Sequence, residues 1–365
     1  MERWCRASVK LGRQPVVWCA WSLQPAAMQC LSSAGAIVRP YFHCNPLQRL
    51  RARVLTLPAV AGELYIQLSS LARRLPANSR LVFPTTDLDV LWALAHVVQK
   101  RWWSHSASVI MFWWDRLQGV GYRLPLETWM VRRVAQVAAS AGSLIHYFAH
   151  SATIADVITQ NVGQPVASLP LMHEFAPPPV RLDLQDGRPL VSMVGELRDE
   201  KGFALFARAI SLLTSECRLL VHAAPGEMAD EVVRNHLVEA VRLRGGVVHT
   251  TRRSSSEYAA DIRLSDISVL PYEPSRYRHR TSGVLTELYG AGVYPVVSSG
   301  TWLAGEVARV GAGQTFEPWS AEALASAIDL AVHVLPAHRT QLDMIAQRVV
   351  SEHSPTSVLQ TLLTG

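Results

Sequence analysis

The sequence lacks most features that would give a quick answer. Its five cysteines (Cys5, Cys19, Cys30, Cys44 and Cys217) are an odd number without CxxC spacing. That argues against a disulfide framework and a zinc site, and fits a reducing, cytoplasmic setting. No run of 18 uninterrupted apolar residues occurs, which argues against a spanning helix. The phosphate-loop pattern GxxxxGK followed by Ser or Thr is absent, and so is GxGxxG. No low-complexity tract stands out, and an apolar fraction of 49% excludes general disorder.

The 365 residues suffice for two domains of ordinary size. Arg3, Arg6, Lys10 and Arg13 precede PVVWCAWSLQPAAMQCLSSAGA, which mimics a signal peptide. Gln24, Pro25 and Gln29 interrupt that apolar core, however, and VVWCAW reads equally well as a first buried strand. Charge is uneven. Residues 1–180 carry 17 Lys and Arg against 8 Asp and Glu, a net of +9, whereas residues 181–365 carry 18 against 21, a net of −3. Such asymmetry suggests that the first half faces something anionic.

Apolar runs of strand length alternate with segments of helical period almost throughout. In the first half the candidate strands are 16–21, 36–42, 80–84, 108–114, 144–149 and 166–171; in the second they are 190–195, 218–223, 246–250, 267–272, 294–299 and 313–318. Continuous apolar strands fed by helices imply α/β architecture with parallel sheets covered on both faces. Pro177, Pro178 and Pro179 propagate neither helix nor sheet and read as a stiff linker. We therefore expect two doubly wound, Rossmann-like domains, 1–180 and 181–345, with a C-terminal helix (346–365) free to return to the first. Ligands should bind in the cleft at strand carboxyl ends.

Two stretches carry chemistry. In VSMVGELRDEKGFALFARAI a buried strand ends at Gly195, a charged loop follows, and Lys201-Gly202 opens a helix. Strand, glycine turn and helix start can accept phosphate oxygens, with Arg198 and Lys201 adding charge. The bland alternative is a helix start with solvated charges. In YRHRTSGVLTELYGAGVYPVV, Thr281 or Ser282 can cap a helix, leaving amides near Gly283 beside Arg280 as an anion site. Glu287, about one turn further in, can accept bonds from two ribose hydroxyls. An Arg-rich surface loop with an exposed Glu is the competing reading.

These stretches, with SSSEYAADIRLSDISVLPYEP between them and SSGTWLAGEV after them, resemble in order and spacing the C-terminal domain of retaining GT-B glycosyltransferases of the family-four (glycosyl transferases group 1) type. The resemblance spans roughly residues 190–320 and extends weakly to HSATIADVITQNVGQPVASLPL. It implies an enzyme, a hexosyltransferase, that uses a nucleotide-diphosphate sugar as co-substrate without another cofactor. Residues 1–180 would bind the acceptor and residues 181–345 the donor. Lys201 and Arg198 would contact the diphosphate, and Glu287 would be the second glutamate of an E-x7-E motif that binds ribose. The first glutamate falls on His279. Where many relatives have a His-Asp pair after a first-domain strand, this chain has Trp114-Asp115, on the acceptor side; His150, ending another strand, is the substitute catalytic candidate. A satisfied strand-end histidine is the plainer reading of His150.

Asp87-Leu88-Asp89 matches the D-x-D that holds a divalent metal in another glycosyltransferase architecture, but at a helix start Thr86 or Asp87 reads better as an N-cap. No metal is expected, because helix end and basic residues can stabilise the leaving diphosphate. Basic NPLQRLRARVLTL and the tryptophans of VVQKRWWSHS suit either peripheral contact with an anionic membrane at its cytoplasmic face or, for Trp102 and Trp103, a buried core. The acceptor is then a glycan or lipid-linked precursor, as in polysaccharide biosynthesis. No recognised nucleic-acid motif is present. Three alternatives stay open: a nucleotide-sugar epimerase, a nucleic-acid glucosyltransferase with steeply salt-dependent duplex binding, and a catalytically inactive GT-B subunit that only binds a partner.

Overall fold

The computed structural model describes residues 1–20, 23–42, 57–86, 88–100, 102–111, 136, 139, 144–175, 187–224 and 231–364. The Pro177–Pro179 linker, Trp114, Asp115 and Asp87 lie outside them. The chain forms two compact units, residues 1–172 with 354–365, and residues 173–353.

In the first unit the order is α1 (Glu2–Lys10), β1 (Val16–Ala20), α2 (Pro25–Ser33), β2 (Ile37–Phe42), α3 (Leu57–Ala72), β3 (Arg80–Thr86), α4 (Leu88–Val98), β4 (Ser106–Met111), β5 (Ile145–Ala149), α5 (Ala152–Val162) and β6 (Val166–Ser168). Strands β1 and β2 pair in parallel, and β3-β4-β5-β6 form a second parallel sheet. Helix α4 supplies fully buried Leu91 and Leu94 against Val109 of β4 and Tyr147 of β5. Trp103 joins this core at 9% exposure. Trp102 packs partly against it, with the Arg73 guanidinium 4.7 Å above its ring. Of the two readings open for these tryptophans, the core fits Trp103. Residues VVWCA of VVWCAW do form β1, half-buried at residues 17–19 rather than buried, and α2 starts at Pro25 with proline in its favoured first-turn position.

The second unit continues with β7 (Leu190–Met193), a 3-10 turn (Asp199–Lys201), α6 (Phe203–Leu212), β8 (Arg218–His222), α7 (Glu231–Leu243), β9 (Val247–His249), α8 (Ser255–Leu264), β10 (Ile267–Leu270), α9 (Pro274–Tyr277), α10 (Gly283–Gly290), β11 (Tyr294–Ser298), α11 (Trp302–Val310), β12 (Gln314–Phe316) and α12 (Ala321–Glu352). Its six strands are all parallel, in the order β12-β11-β10-β7-β8-β9. This is the doubly wound order, in which the winding direction reverses between β7 and β10. Every residue of β7, β10 and β11 is buried, so their sequences run apolar without alternation. Ser192 and Ser268, the polar residues at the β7–β10 seam, bond one another at 3.0 Å. Helix α12 runs unbroken through residue 345 to Glu352, and α13 (Pro355–Thr364) then packs on α1 within the first unit.

Short polar residues start the helices. Ser254 and Glu257 form a capping box on α8, while Ser282, Thr301 and Ser320 cap α10, α11 and α12. Each such cap is worth roughly 1 kcal/mol. One turn has no alternative residue. Gly202 sits at φ 74°, and a Cβ there would lie 2.2 Å from the Pro271 carbonyl oxygen. The loop after β7 is thereby pressed onto the loop after β10, at the point where the winding reverses.

Candidate functional site

At this reversal the sheet leaves a crevice that loops, not strands, must line. Besides the contact at Gly202, two hydrogen bonds tie loops to one another and a third closes the first loop on itself. Glu273 N–H donates to the Glu200 carbonyl at 2.9 Å, Trp319 Nε1–H to the Pro271 carbonyl at 3.0 Å, and Lys201 N–H to the Arg198 carbonyl at 3.0 Å. Trp319 keeps 41% of its surface exposed, the sole large ring among the described residues to do so.

Lys201 is the central group. A Cβ on Gly195, whose φ is 114°, would lie 3.3 Å from Lys201 Nζ, so the glycine makes room for the amine. Nζ lies 5.9 Å from the centre of the Tyr272 ring. Tyr272 in turn stacks against Tyr277 at 4.4 Å, and the Arg280 guanidinium covers Tyr277 at 5.1 Å. Among the described residues no carboxylate forms a salt bridge with Lys201. Burial, followed by the nearby Arg198 charge, brings its pKa down to about 8. Desolvating a cation beside another cation is costly unless an anion arrives to share the site.

The other cations are committed more fully. Arg198 donates to Glu196 from Nε at 3.0 Å and from its terminal nitrogen at 2.5 Å, and Arg252 reaches the same carboxylate at 3.4 Å. Arg280 lies 3.7 Å from Glu200. Of the two cations expected to add charge to a phosphate site, Arg198 is thus paired with a carboxylate and Lys201 forms no salt bridge among the described residues.

The capped helix is present as anticipated. Of the two candidate caps it is Ser282 whose Oγ accepts, from Leu285 N–H at 3.4 Å, leaving the amide groups of Gly283 and Val284 at the exposed start of α10. Thr281 and Gly283 flank that cap. Half-buried His279 has a buried Nδ1 with no hydrogen bond, and burial with the Arg278 charge lowers its pKa, favouring the neutral ring. Glu287 is not free. Tyr258 Oη–H donates to its Oε2 at 2.7 Å, and His173 Nε2 lies 3.0 Å from its Oε1.

A second polar chain lies under Gly195. Its N–H points at Nδ1 of buried His222 at 3.5 Å, while His222 Nε2 meets Asp261 at 3.0 Å. Arg253 holds Asp261 with two bonds, at 2.8 and 3.2 Å. The Gly195 amide thus contributes to the turn rather than standing open.

The second unit therefore brings together Gly195, Arg198, Lys201, His279, Arg280, Thr281, Ser282, Gly283 and Glu287. His150 lies in the first unit, just past β5, with Nδ1 3.3 Å from the Leu169 carbonyl. Trp114 and Asp115 fall outside the described residues, as does the side chain of Asp89. Sequence reasoning missed Tyr258, His173, Tyr272 and Trp319. Tyr258 and Tyr272 lie inside the quoted stretch before α9, but no local pattern marks them. Among the described residues no cluster of His, Cys, Asp and Glu suits a metal ion.

Comparison with known proteins bears on the fold and on the second unit. Residues 188–333 match the family model described as Glycosyl transferases group 1. The match covers most of the second unit, and Gly195, Arg198, Lys201, His279 and Glu287 lie inside it. Known structures extend the likeness to the whole chain. A glycosyltransferase from Rickettsia africae ESF-5 is 12% identical with a TM-score of 0.69, covering 99% of this chain and 92% of its own. HepE of Anabaena, solved with UDP, is 13% identical with a TM-score of 0.68, covering 100% and 95%. Sucrose-phosphate synthase from Thermosynechococcus elongatus is 13% identical with a TM-score of 0.67, covering 99% and 90%. At such identities the likeness shows the fold, the two Rossmann-like units of GT-B glycosyltransferases. No curated protein sequence matches the chain significantly.

The depressed pKa of Lys201 gives a direct test. In protein labelled on lysine side chains, one ε-signal should titrate near pH 8, charged below and neutral above, and it should vanish in Lys201→Arg. If every lysine titrates above pH 10, the amine is solvated and the crevice is not what buries it.

Proposed function

We propose that the protein is a hexosyltransferase that moves a sugar from a nucleoside-diphosphate sugar to an acceptor hydroxyl, with retention of configuration and without a metal. The observation that carries the proposal is the Lys201 amine, desolvated and without a carboxylate partner, beside the capped start of α10 at the winding reversal. The bond between the anomeric carbon and the diphosphate oxygen breaks, one to the acceptor oxygen forms, and the acceptor hydroxyl's proton passes to the departing diphosphate. Negative charge grows on the departing diphosphate, where Lys201, Arg280 and the first amides of α10 stabilise it. Glu287 accepts from the ribose hydroxyls. The Anabaena structures with UDP and UDP-glucose support a nucleotide sugar as the donor class and make UDP the first nucleotide to try.

Lys201→Ala and Glu287→Ala should each weaken donor binding by tenfold or more with the fold intact. Losing one bond to a charged group costs about 1.5–3 kcal/mol. Calorimetry with UDP-, GDP- and ADP-sugars measures this, and unchanged affinity in both variants would sink the site assignment.

Metal independence follows if cations and helix amides take the metal's role. Turnover should survive EDTA. Loss of activity that Mg²⁺ or Mn²⁺ restores would return Asp87 and Asp89 to consideration as ligands.

The acceptor in this reading is a glycan or lipid-linked hydroxyl compound, met through the first half of the chain. Its +9 balance supports peripheral contact with anionic lipid, now resting on charge more than on the tryptophans, since Trp103 is core. No described helix is long and apolar enough to cross a membrane. Binding to vesicles of anionic lipid should fall as salt shortens the Debye length from about 10 Å at 0.1 M. Replacing Arg49, Arg51 and Arg53 by glutamine should weaken it by roughly 1 kcal/mol per residue near the surface. Equal binding to neutral vesicles would remove the electrostatic basis.

A further inference from the structure

Two side chains that a ribose-binding carboxylate does not by itself require hold Glu287 from opposite oxygens. Tyr258 occupies Oε2 and His173 occupies Oε1. A carboxylate oxygen has two acceptor positions, so each oxygen keeps one for an outside donor. Two vicinal hydroxyls on a ribose match that pair. The arrangement works only if the carboxylate plane is fixed, because a freely rotating carboxylate must be ordered by each ligand that arrives.

His173 is itself held firmly. Its backbone N–H donates to the His353 carbonyl at 2.9 Å, joining the first and last residues of the second unit. Its ring lies 5.0 Å from that of Phe175. Phe175 rests against Gly290, where a Cβ would come within 2.0 Å of the ring. Glu287 and Gly290 are three residues apart on α10 and share a face. The first three residues of the unit are therefore docked along the helix face that bears Glu287, at two points. Tyr258 serves as a constant donor at the other oxygen, since burial and the Glu287 charge push its hydroxyl pKa far up.

We infer that His173 is a positioning residue for the nucleotide-sugar donor: its Nε2–H fixes the Glu287 carboxylate so that the two free acceptor positions face the ribose diol. The inference rests on the reading of Glu287 as the ribose acceptor. It assigns to a residue outside every sequence motif a share in nucleotide affinity, and it makes that share depend wholly on Glu287.

The test is a double-mutant cycle read by calorimetry, with UDP, GDP and ADP each tried and the tightest retained. His173→Leu should weaken nucleotide binding about tenfold. His173→Gln, whose amide nitrogen can reach the same oxygen, should recover to within about threefold of wild type. In Glu287→Ala, adding His173→Leu should change nothing further, whereas independent contributions would multiply. In turnover the His173→Leu loss should appear in KM for the donor, with kcat kept within about twofold. Melting temperatures without ligand show whether a variant has simply lost its fold, and the Gln variant keeps the question answerable if Leu has. If Glu287→Ala weakens binding and His173→Leu does not, or if His173→Leu weakens it equally without Glu287, the inference fails while the donor site stands. If Glu287→Ala itself binds as tightly as wild type, the ribose assignment fails and takes the inference with it.

Discussion

The close approach of Gly202 to the Pro271 carbonyl sets the geometry of the rest of the site. At the winding reversal of a doubly wound sheet, the two central strands send their loops in opposite directions and leave a crevice. Here the loops do not simply part. Gly202 has no side chain to keep Pro271 away, and the bonds from Glu273 to Glu200 and from Trp319 to Pro271 close the seam. Pressed together, the loops desolvate the Lys201 amine lying between Gly195 and Tyr272. A half-buried ammonium without a salt-bridge partner is costly, so its presence favours a ligand that brings negative charge.

The two ends of the site are prepared differently. On the Glu287 side, both carboxylate oxygens already have partners, so a sugar diol meets an ordered acceptor. On the Lys201 side no carboxylate among the described residues forms a salt bridge with the amine; burial and the Arg198 charge disfavour its charged form more than Glu196 and Glu200 favour it. Order without charge compensation suits a ligand whose ribose docks while its diphosphate supplies the missing anion. The same imbalance serves a reaction in which charge on the diphosphate increases as the glycosyl bond breaks.

The architecture was legible in the sequence because burial of both sheet faces leaves a plain record. All twelve apolar runs overlap a strand, from 16–20 to 314–316; β3 extends two residues past its run and β4 begins two before, while most of the others end a residue or two short of the run's carboxyl end. There the chain leaves the ladder while still apolar, as Val194 does before Gly195. Lys201, Ser282 and Glu287 were legible because strand, turn and cap place them within a few residues of a recognisable boundary. His173 and Tyr258 were not, since they meet Glu287 across the fold from segments with no special local pattern. The partition of cations was equally hidden. Arg198 and Lys201 look alike in ELRDEKGF, yet one lies on Glu196 and the other is alone.

His279 shows how a departure from the family pattern bears on chemistry. Where the related motif would have a glutamate, this chain places an imidazole whose Nδ1 is buried without a hydrogen bond. Burial and the Arg278 charge favour the neutral ring, so this position adds no carboxylate charge beside the departing diphosphate. A neutral imidazole offers one donor and one acceptor, whereas a carboxylate offers acceptors only. In the proposed reading, a histidine here changes which sugar hydroxyls the position can satisfy without altering the groups assigned to phosphate. A buried nitrogen left without a partner costs stability until a ligand group bonds to it. In the proposed reading, three groups then keep a bonding capacity for the donor: an amine without a salt-bridge partner among the described residues, a pair of carboxylate acceptor positions, and an unused ring nitrogen.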